Sequence, residues 1–167
     1  MKSALAVVFL CSMVFSVPAQ RTEQNKELIR KFYDAFNQRN FNYFYACFAD
    51  SVLLHVSKNR TFTITPAAIK SDIDPQVKSI PDSYDILTRV LADGDWVSIY
   101  VRHTGTYKDS LWGLPANGKS LDYPVMEMYR IERGKIKEIY VVGDRLGMFN
   151  QMGIIPEEIK GVLKNPG

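Results

Sequence analysis

The side chains of this sequence that could move a proton are few, and they stand in strand-like stretches and before one short helix. His55 closes an alternating run, 51–57, in which Val52, Leu54 and Val56 share one side and Leu53 and His55 the other. It reads as a general base or as a hydrogen-bonded histidine at a strand end. Glu127 stands between Met126 and Met128 and shares its side of the strand with Tyr123, Val125 and Tyr129. If that side lines a hollow, its carboxylate can serve as a base; otherwise it makes a cross-strand ion pair or a dimer contact. Asp144 directly precedes a helical segment, so a chemical role competes with capping of free backbone N–H groups. The second histidine, His103, shares its side with Val97, Ile99 and Val101 and reads as structural.

Other chemistries lack their parts. Two histidines far apart offer no metal-ligand spacing, and neither a Gly-rich phosphate loop after a strand nor a G-x-S-x-G turn occurs. No metal and no cofactor are expected. Cys47 lies in the aromatic stretch FNYFYACF without a basic neighbour and reads as an inert, buried thiol. Tyr100, Tyr123, Tyr129 and Tyr140 could shape a ligand site, and Trp112 stands in a loop that could cover its mouth.

The chain has 167 residues, enough for one domain with one core. Lys2, the apolar run 3–17 and the small residue Ala19 have the form of a secretory leader cleaved after Ala19. The expected division is a signal peptide, 1–19, and a single domain, 20–167. Removing the leader leaves 20 basic and 18 acidic residues, with no basic cluster, so no nucleic-acid partner is expected. No later apolar run approaches the ~20 residues of a membrane span. Asn59-Arg60-Thr61 is a glycosylation sequon, which makes Asn59 the expected glycan site of a secreted chain.

The elements that must position these residues follow from periodicity. Leu28, Phe32, Ala35 and Phe36 form one helical face over 23–39. Asn40 can cap a second helix in which Phe41, Phe44, Tyr45 and Phe48 recur at three and four. A strand, 51–57, precedes a helix starting at Thr65-Pro66 that Asp74-Pro75 is expected to interrupt or end. Strands follow at 84–92, 95–106, 121–132 and 135–142, joined by Asp93-Gly94 and Arg133-Gly134 turns, and a short helix closes the pattern at 145–152. The expected fold is α+β: a cone-shaped, curved antiparallel sheet capped by N-terminal helices.

NKELIRKFYDAFNQRNFNYFYACFADSV, PDSYD, the Asp93-Gly94-Asp95 turn, GLPANGK and the segment around Leu146-Gly147 to Gly153 occur in the order and spacing of one family. Together they resemble the SnoaL-like polyketide cyclases, a branch of the nuclear-transport-factor-two-like fold. The resemblance implies a cone holding a small hydrophobic multi-ring ligand, acid–base groups in the pocket, and no metal or cofactor. It also implies a His and an Asp on the last strand, where this sequence has Ile139 and Val141. Neither can transfer a proton, and together with Trp112 and Tyr123 they become candidate ligand-binding residues. Three functions stay open: a secreted binder of a polyketide- or steroid-like molecule, a cyclase or isomerase using His55 or Glu127, and a non-catalytic module that forms a homodimer through its open sheet face.

Overall fold

The computed structural model describes residues 16–57 and 60–155. Most of the expected leader, Asn59 of the sequon and the tail after residue 155 lie outside the described residues.

Helix α1, Ser16–Asn37, buries Ile29, Phe32, Tyr33 and Ala35 along one face. The chain reverses at Arg39, which takes the left-handed conformation at φ 61°. Asn40 then caps α2, Phe41–Ala46, its side chain accepting from the Tyr43 backbone N–H at 3.3 Å. Phe32 and Phe44 stack across the hairpin with centroids 4.4 Å apart. The aromatic stripe packs in the core, but the helix stops at Ala46, and Phe48, expected on its last turn, opens the first strand instead.

The sheet has six strands: β1 (Phe48–Ser57), β2 (Arg60–Ile64), β3 (Tyr84–Asp93), β4 (Trp96–Thr106), β5 (Ser120–Glu132) and β6 (Lys135–Gly143). Their spatial order is β2-β1-β6-β5-β4-β3. Four of the five pairings are antiparallel, but β1 and β6 run parallel, with Leu54 opposite Ile139. An all-antiparallel sheet was the expectation from the chain of tight turns. Hairpins must be antiparallel, whereas strands joined through the rest of the domain are free to run either way. Strand β2 was not expected, because its RTFTI segment is exposed along nearly its whole length and carries no buried face.

Helix α3, Pro66–Ser79, is capped by Thr65 and runs through Pro75 instead of stopping there. An interior proline removes one donor and crowds the preceding turn, so contacts outside the helix must offset its cost. Here Ser79 Oγ donates to Ser110 O at 2.8 Å, and Ser79 O accepts from Lys108 N at 2.8 Å. Helix α4, Arg145–Gln151, closes the chain.

The main core joins α1 and α2 to the inner face of the sheet. A smaller cluster of Tyr107, Leu111, Leu121, Met148 and Met152 fastens the β4–β5 loop under α4. Tyr107 is fully buried and its hydroxyl donates to Leu114 O at 2.5 Å. Gly105 lets this loop leave close to the α3–β3 connection: a Cβ there would collide with Ile80 and the Ser83 backbone.

Candidate functional site

The helices do not fill the concavity of the sheet. A cavity of about 500 Å³ remains between α1, α2, α3 and the inner faces of β1 and β3–β6. Its wall is mostly aliphatic and aromatic, as a pocket for an apolar ligand requires. Strand alternation and register decide which polar groups enter it. On one rung Asp85, His103 and Tyr123 stand side by side across β3, β4 and β5. The next inward rung is apolar, with Leu87, Val101 and Val125. The following rungs carry Ile99, Glu127 and Val141, then Val97, Tyr129 and Ile139.

Asp85 and His103 form the first polar device. His103 Nδ1 lies 2.6 Å from Asp85 Oδ1, and the aspartate is buried. With the carboxylate accepting, Nδ1 carries the proton, and the imidazole lines the hollow. Nε2 has no hydrogen-bond partner among the described residues. Burial alone would pull the imidazole's pKa down. The hydrogen bond and charge of Asp85, helped by the charge of Glu127, outweigh burial and an opposing charge on Arg145, so the net shift is upward. The Asp85 backbone is in turn clamped from α1. Asn37 Nδ2 donates to Asp85 O at 2.9 Å, and Asp85 N donates to Asn37 Oδ1 at 2.8 Å. The amide thus imitates the strand neighbour that edge strand β3 lacks on that side.

Glu127 is the centre of the second device. The hydroxyls of Tyr33, from α1, and Tyr129, from β5, both donate to its Oε2, and the two hydroxyl oxygens are 2.8 Å apart. Burial, reinforced by the charge of Glu127, holds both phenols well above the ordinary tyrosine pKa, so they remain donors. Their protons are committed to the carboxylate, and Oε1 has no hydrogen-bond partner among the described residues. A ligand reaching this end therefore meets an acceptor. Glu127 and His103 are two inward rungs apart, about 13 Å along the strand at the usual rise per residue.

The other sequence candidates are placed differently. His55 is on the opposite face of the sheet from Leu54 and Val56, which line the hollow. Its Nε2 meets Glu138 Oε1 at 2.9 Å, its Nδ1 meets Thr61 Oγ1 at 2.9 Å, and its ring stacks on Tyr140. It cannot reach a ligand in the cavity, because strand alternation turns it to the outer surface. Asp144 caps α4, accepting from Gly147 N at 2.7 Å, and does not line the hollow. Trp112 sits half-exposed on the fastened loop, away from the cavity lining. Tyr123, Ile139 and Val141 all line it.

The residues that sequence reasoning passed over are Asp85, Tyr33 and Ser83, with His103 set aside as structural. Asp85 and Leu87 share a strand side, and that parity was visible. What was missing was the β3–β4 register that sets Asp85 against His103. A second, more open cleft of about 520 Å³ lies between the start of α1 and the β5–β6 turn, and its lining holds neither a histidine nor a carboxylate. Among the described residues no three His, Cys, Asp or Glu side chains are grouped to hold a metal ion. Among the same residues no helix is long and apolar enough to cross a membrane.

A six-stranded sheet with helices packed against it around a largely apolar cavity defines the fold class as α+β. Within it, the profile of the SnoaL-like polyketide cyclases matches residues 26–152, and the chain belongs to that family. Solved structures agree on the fold. AclR of Streptomyces galilaeus, a candidate hydroxylase, aligns with TM-score 0.73 at 18% identity over 81% of this chain and 99% of its own. A candidate SnoaL-like polyketide cyclase of Jannaschia sp. CCS1 gives 0.72 at 17% identity, over 81% of this chain and 96% of its own. IdmH of Streptomyces antibioticus, a candidate polyketide cyclase, gives 0.68 at 20% identity, over 78% and 99%. At these identities the likeness is one of fold. No curated protein matches the chain.

Proposed function

We propose that this protein binds a small hydrophobic carbonyl compound in its cavity and moves a proton next to the carbonyl, the elementary step of cyclisation and isomerisation. The observation that carries this reading is the part-buried Asp85–His103 pair, whose imidazole lines an apolar hollow with Nε2 unpartnered among the described residues. Neutral His103 removes a proton from the carbon beside the carbonyl, leaving an enolate, and the resulting imidazolium returns the proton to carbon. Asp85 fixes the tautomer and stabilises the imidazolium. The upward shift of the imidazole makes it a stronger base once it is neutral. Glu127 supplies an acceptor for a hydroxyl at the far end of the ligand.

Hydrogen–deuterium exchange at the carbon between ring and carbonyl of 2-tetralone, followed by NMR in deuterated buffer, tests this. The wild-type protein is expected to accelerate exchange over buffer, and His103→Ala to lose ~10²–10⁴ of that acceleration. Wild-type exchange no faster than buffer, or an unaffected His103→Ala, overturns it.

A second reading is binding without turnover. It is favoured by Ile139 and Val141, which line the hollow at the positions where the resemblance places a His and an Asp. Saturable binding of 2-tetralone without exchange is its signature.

The proposal includes the route: export directed by residues 1–19, a mature chain starting at Gln20, and a glycan on Asn59. The apolar N-terminal run and the Asn59-Arg60-Thr61 sequon support it. Intact mass and N-terminal sequencing of the protein from culture medium check it; a retained leader or an unmodified Asn59 removes the corresponding part.

A further inference from the structure

The end of the hollow around His103 is rich in donors that the protein leaves unused. Ser83 Oγ is buried and has no hydrogen-bond partner, although its backbone is pinned: Ser83 N donates to Ile80 O at 2.9 Å and Ser83 O accepts from Arg39 Nη2 at 2.7 Å. A buried hydroxyl left unpaired has given up its hydrogen bonds to water for nothing in return, so a stranded one calls for an explanation. Tyr123 lines the same end, its ring tilted against His103 at 5.5 Å between centroids, and its hydroxyl makes no hydrogen bond to a described residue. Arg145 stands exposed on the rim of the lining with no carboxylate partner among the described residues, close enough for its charge to act on both His103 and Tyr123.

Each carboxylate of the hollow has a partner on one of its oxygens. Asp85 is held by His103, Asp72 by Gln76 at 3.0 Å, and Glu127 by two tyrosines at the far end. With the imidazole protonated, the Asp85–His103–Arg145 end carries a net positive charge, and the Glu127 end a negative one.

We infer that Ser83 Oγ, Tyr123 Oη and Arg145, together with His103 Nε2, form an oxyanion-binding subsite that takes a negatively charged oxygen carried by an apolar ring. That oxygen is either a carboxylate the ligand already bears or the enolate formed during proton transfer. The cavity is thereby polarised, and it orients a ring compound with its anionic oxygen at His103 and a hydroxyl donor at Glu127. This inference rests on the reading of the cavity as an acid–base site and deepens it.

The test compares 2-naphthoate with 2-naphthamide, equal in shape and different in charge, by calorimetric titration of the full chain. Wild type is expected to bind the carboxylate at least tenfold tighter, with the ratio falling as salt rises, because Arg145 is exposed. Ser83→Ala and Arg145→Gln are each expected to reduce the ratio. Ser83→Ala carries its own folding control. Removing an unpaired buried hydroxyl is expected to leave the unliganded protein's Tm unchanged or higher while its affinity for 2-naphthoate falls. The sources of the oxyanion separate in the 2-tetralone exchange assay: a lower kcat in Ser83→Ala marks the enolate, an unchanged kcat with weaker naphthoate binding the resident carboxylate. Equal affinities for acid and amide in wild type overturn the subsite, as does a ratio that both variants leave intact. If 2-tetralone exchange depends on His103 while the charge preference is absent, only the subsite falls. If the preference is present without exchange, only the acid–base reading falls.

Discussion

At the residue scale the inner wall keeps polar groups although aliphatic side chains stand where the resemblance implies a proton-transferring pair. Ile139 and Val141 replace the His and Asp that the resemblance implies, yet register sets Ile139 opposite Tyr129 and Val141 opposite Glu127. The polar pair stands on the same rungs, one strand over. A carboxylate restored at 141 would face Glu127 directly, and like charges opposite one another destabilise a sheet. Val141→Asp is therefore expected to lose about 1 kcal/mol or more near neutral pH, with part of the loss recovered in the double variant with Glu127→Gln. Chemical denaturation of the three variants measures that coupling.

The Asp85–His103 pair makes a second residue-scale prediction. The folded imidazole titrates above its ordinary value. The stability it contributes is therefore fully present below about pH 6.5 and is lost as pH rises through the folded pKa. The same group must be neutral to act as a base, so exchange activity rises over the interval in which that stability is lost. Asp85→Asn is expected to shift the rise in activity to lower pH and to flatten the matching fall in Tm. A rise in activity at the same pH in both proteins contradicts the assignment of the base.

At the scale of elements, the site depends on α1 meeting β3. Tyr33 projects from α1 onto Glu127, and Asn37 at its C-terminal end clasps the backbone of Asp85. Asn37→Ala unpairs the backbone N–H and C=O of Asp85 on the side facing α1. The expected cost is about 1–3 kcal/mol of stability, together with slower 2-tetralone exchange, since the Asp85 carboxylate then loses its placement. Denaturation and exchange measured on one preparation separate this from a general loss of fold: exchange stays slow at temperatures well below the variant's own Tm, where it is fully folded. Helices were legible because their apolar spacing is local, and the Asn40, Thr65 and Asp144 caps fell where the sequence put them. Strand β2 and the uninterrupted α3 were not legible. The first has no buried face to generate a pattern, and the second survives its proline through a tether to Ser110, thirty-one residues away in the chain.

At the scale of the whole molecule, the unfilled cavity gives ligands a hold on folding. A compound binding only the folded state at a hundred times its Kd adds about 2.7 kcal/mol, or roughly 2–4 °C of Tm per kcal/mol for a domain of this size. 2-Naphthoate is expected to produce such a shift. Val141→Phe, which places a larger side chain on the cavity wall, is expected to abolish most of it while the unliganded protein stays folded. An undiminished shift in thermal denaturation places the ligand elsewhere. The outer face of the sheet is a separate surface. Tyr100, Met126 and Val142 lie in one row across β4, β5 and β6 and are exposed, and none of them lines the cavity.

The sequence by itself determined the α+β class, the helix faces, the strand parities and the family, because each is written in spacings of a few residues. It also put Glu127 on one strand side with Tyr123, and Ile139 on one side with Val141, since parity within one strand needs no partner; that these sides face the hollow was decided by the tertiary structure. Only the tertiary structure decided that His55 faces outward against Glu138 and that Asp85 meets His103. It alone brought the hydroxyls of Tyr33 and Tyr129 together on Glu127. Those facts depend on register between strands and on the docking of α1, which join residues up to 96 positions apart. No local pattern records a contact whose energy is realised only when the two ends of the chain have already met.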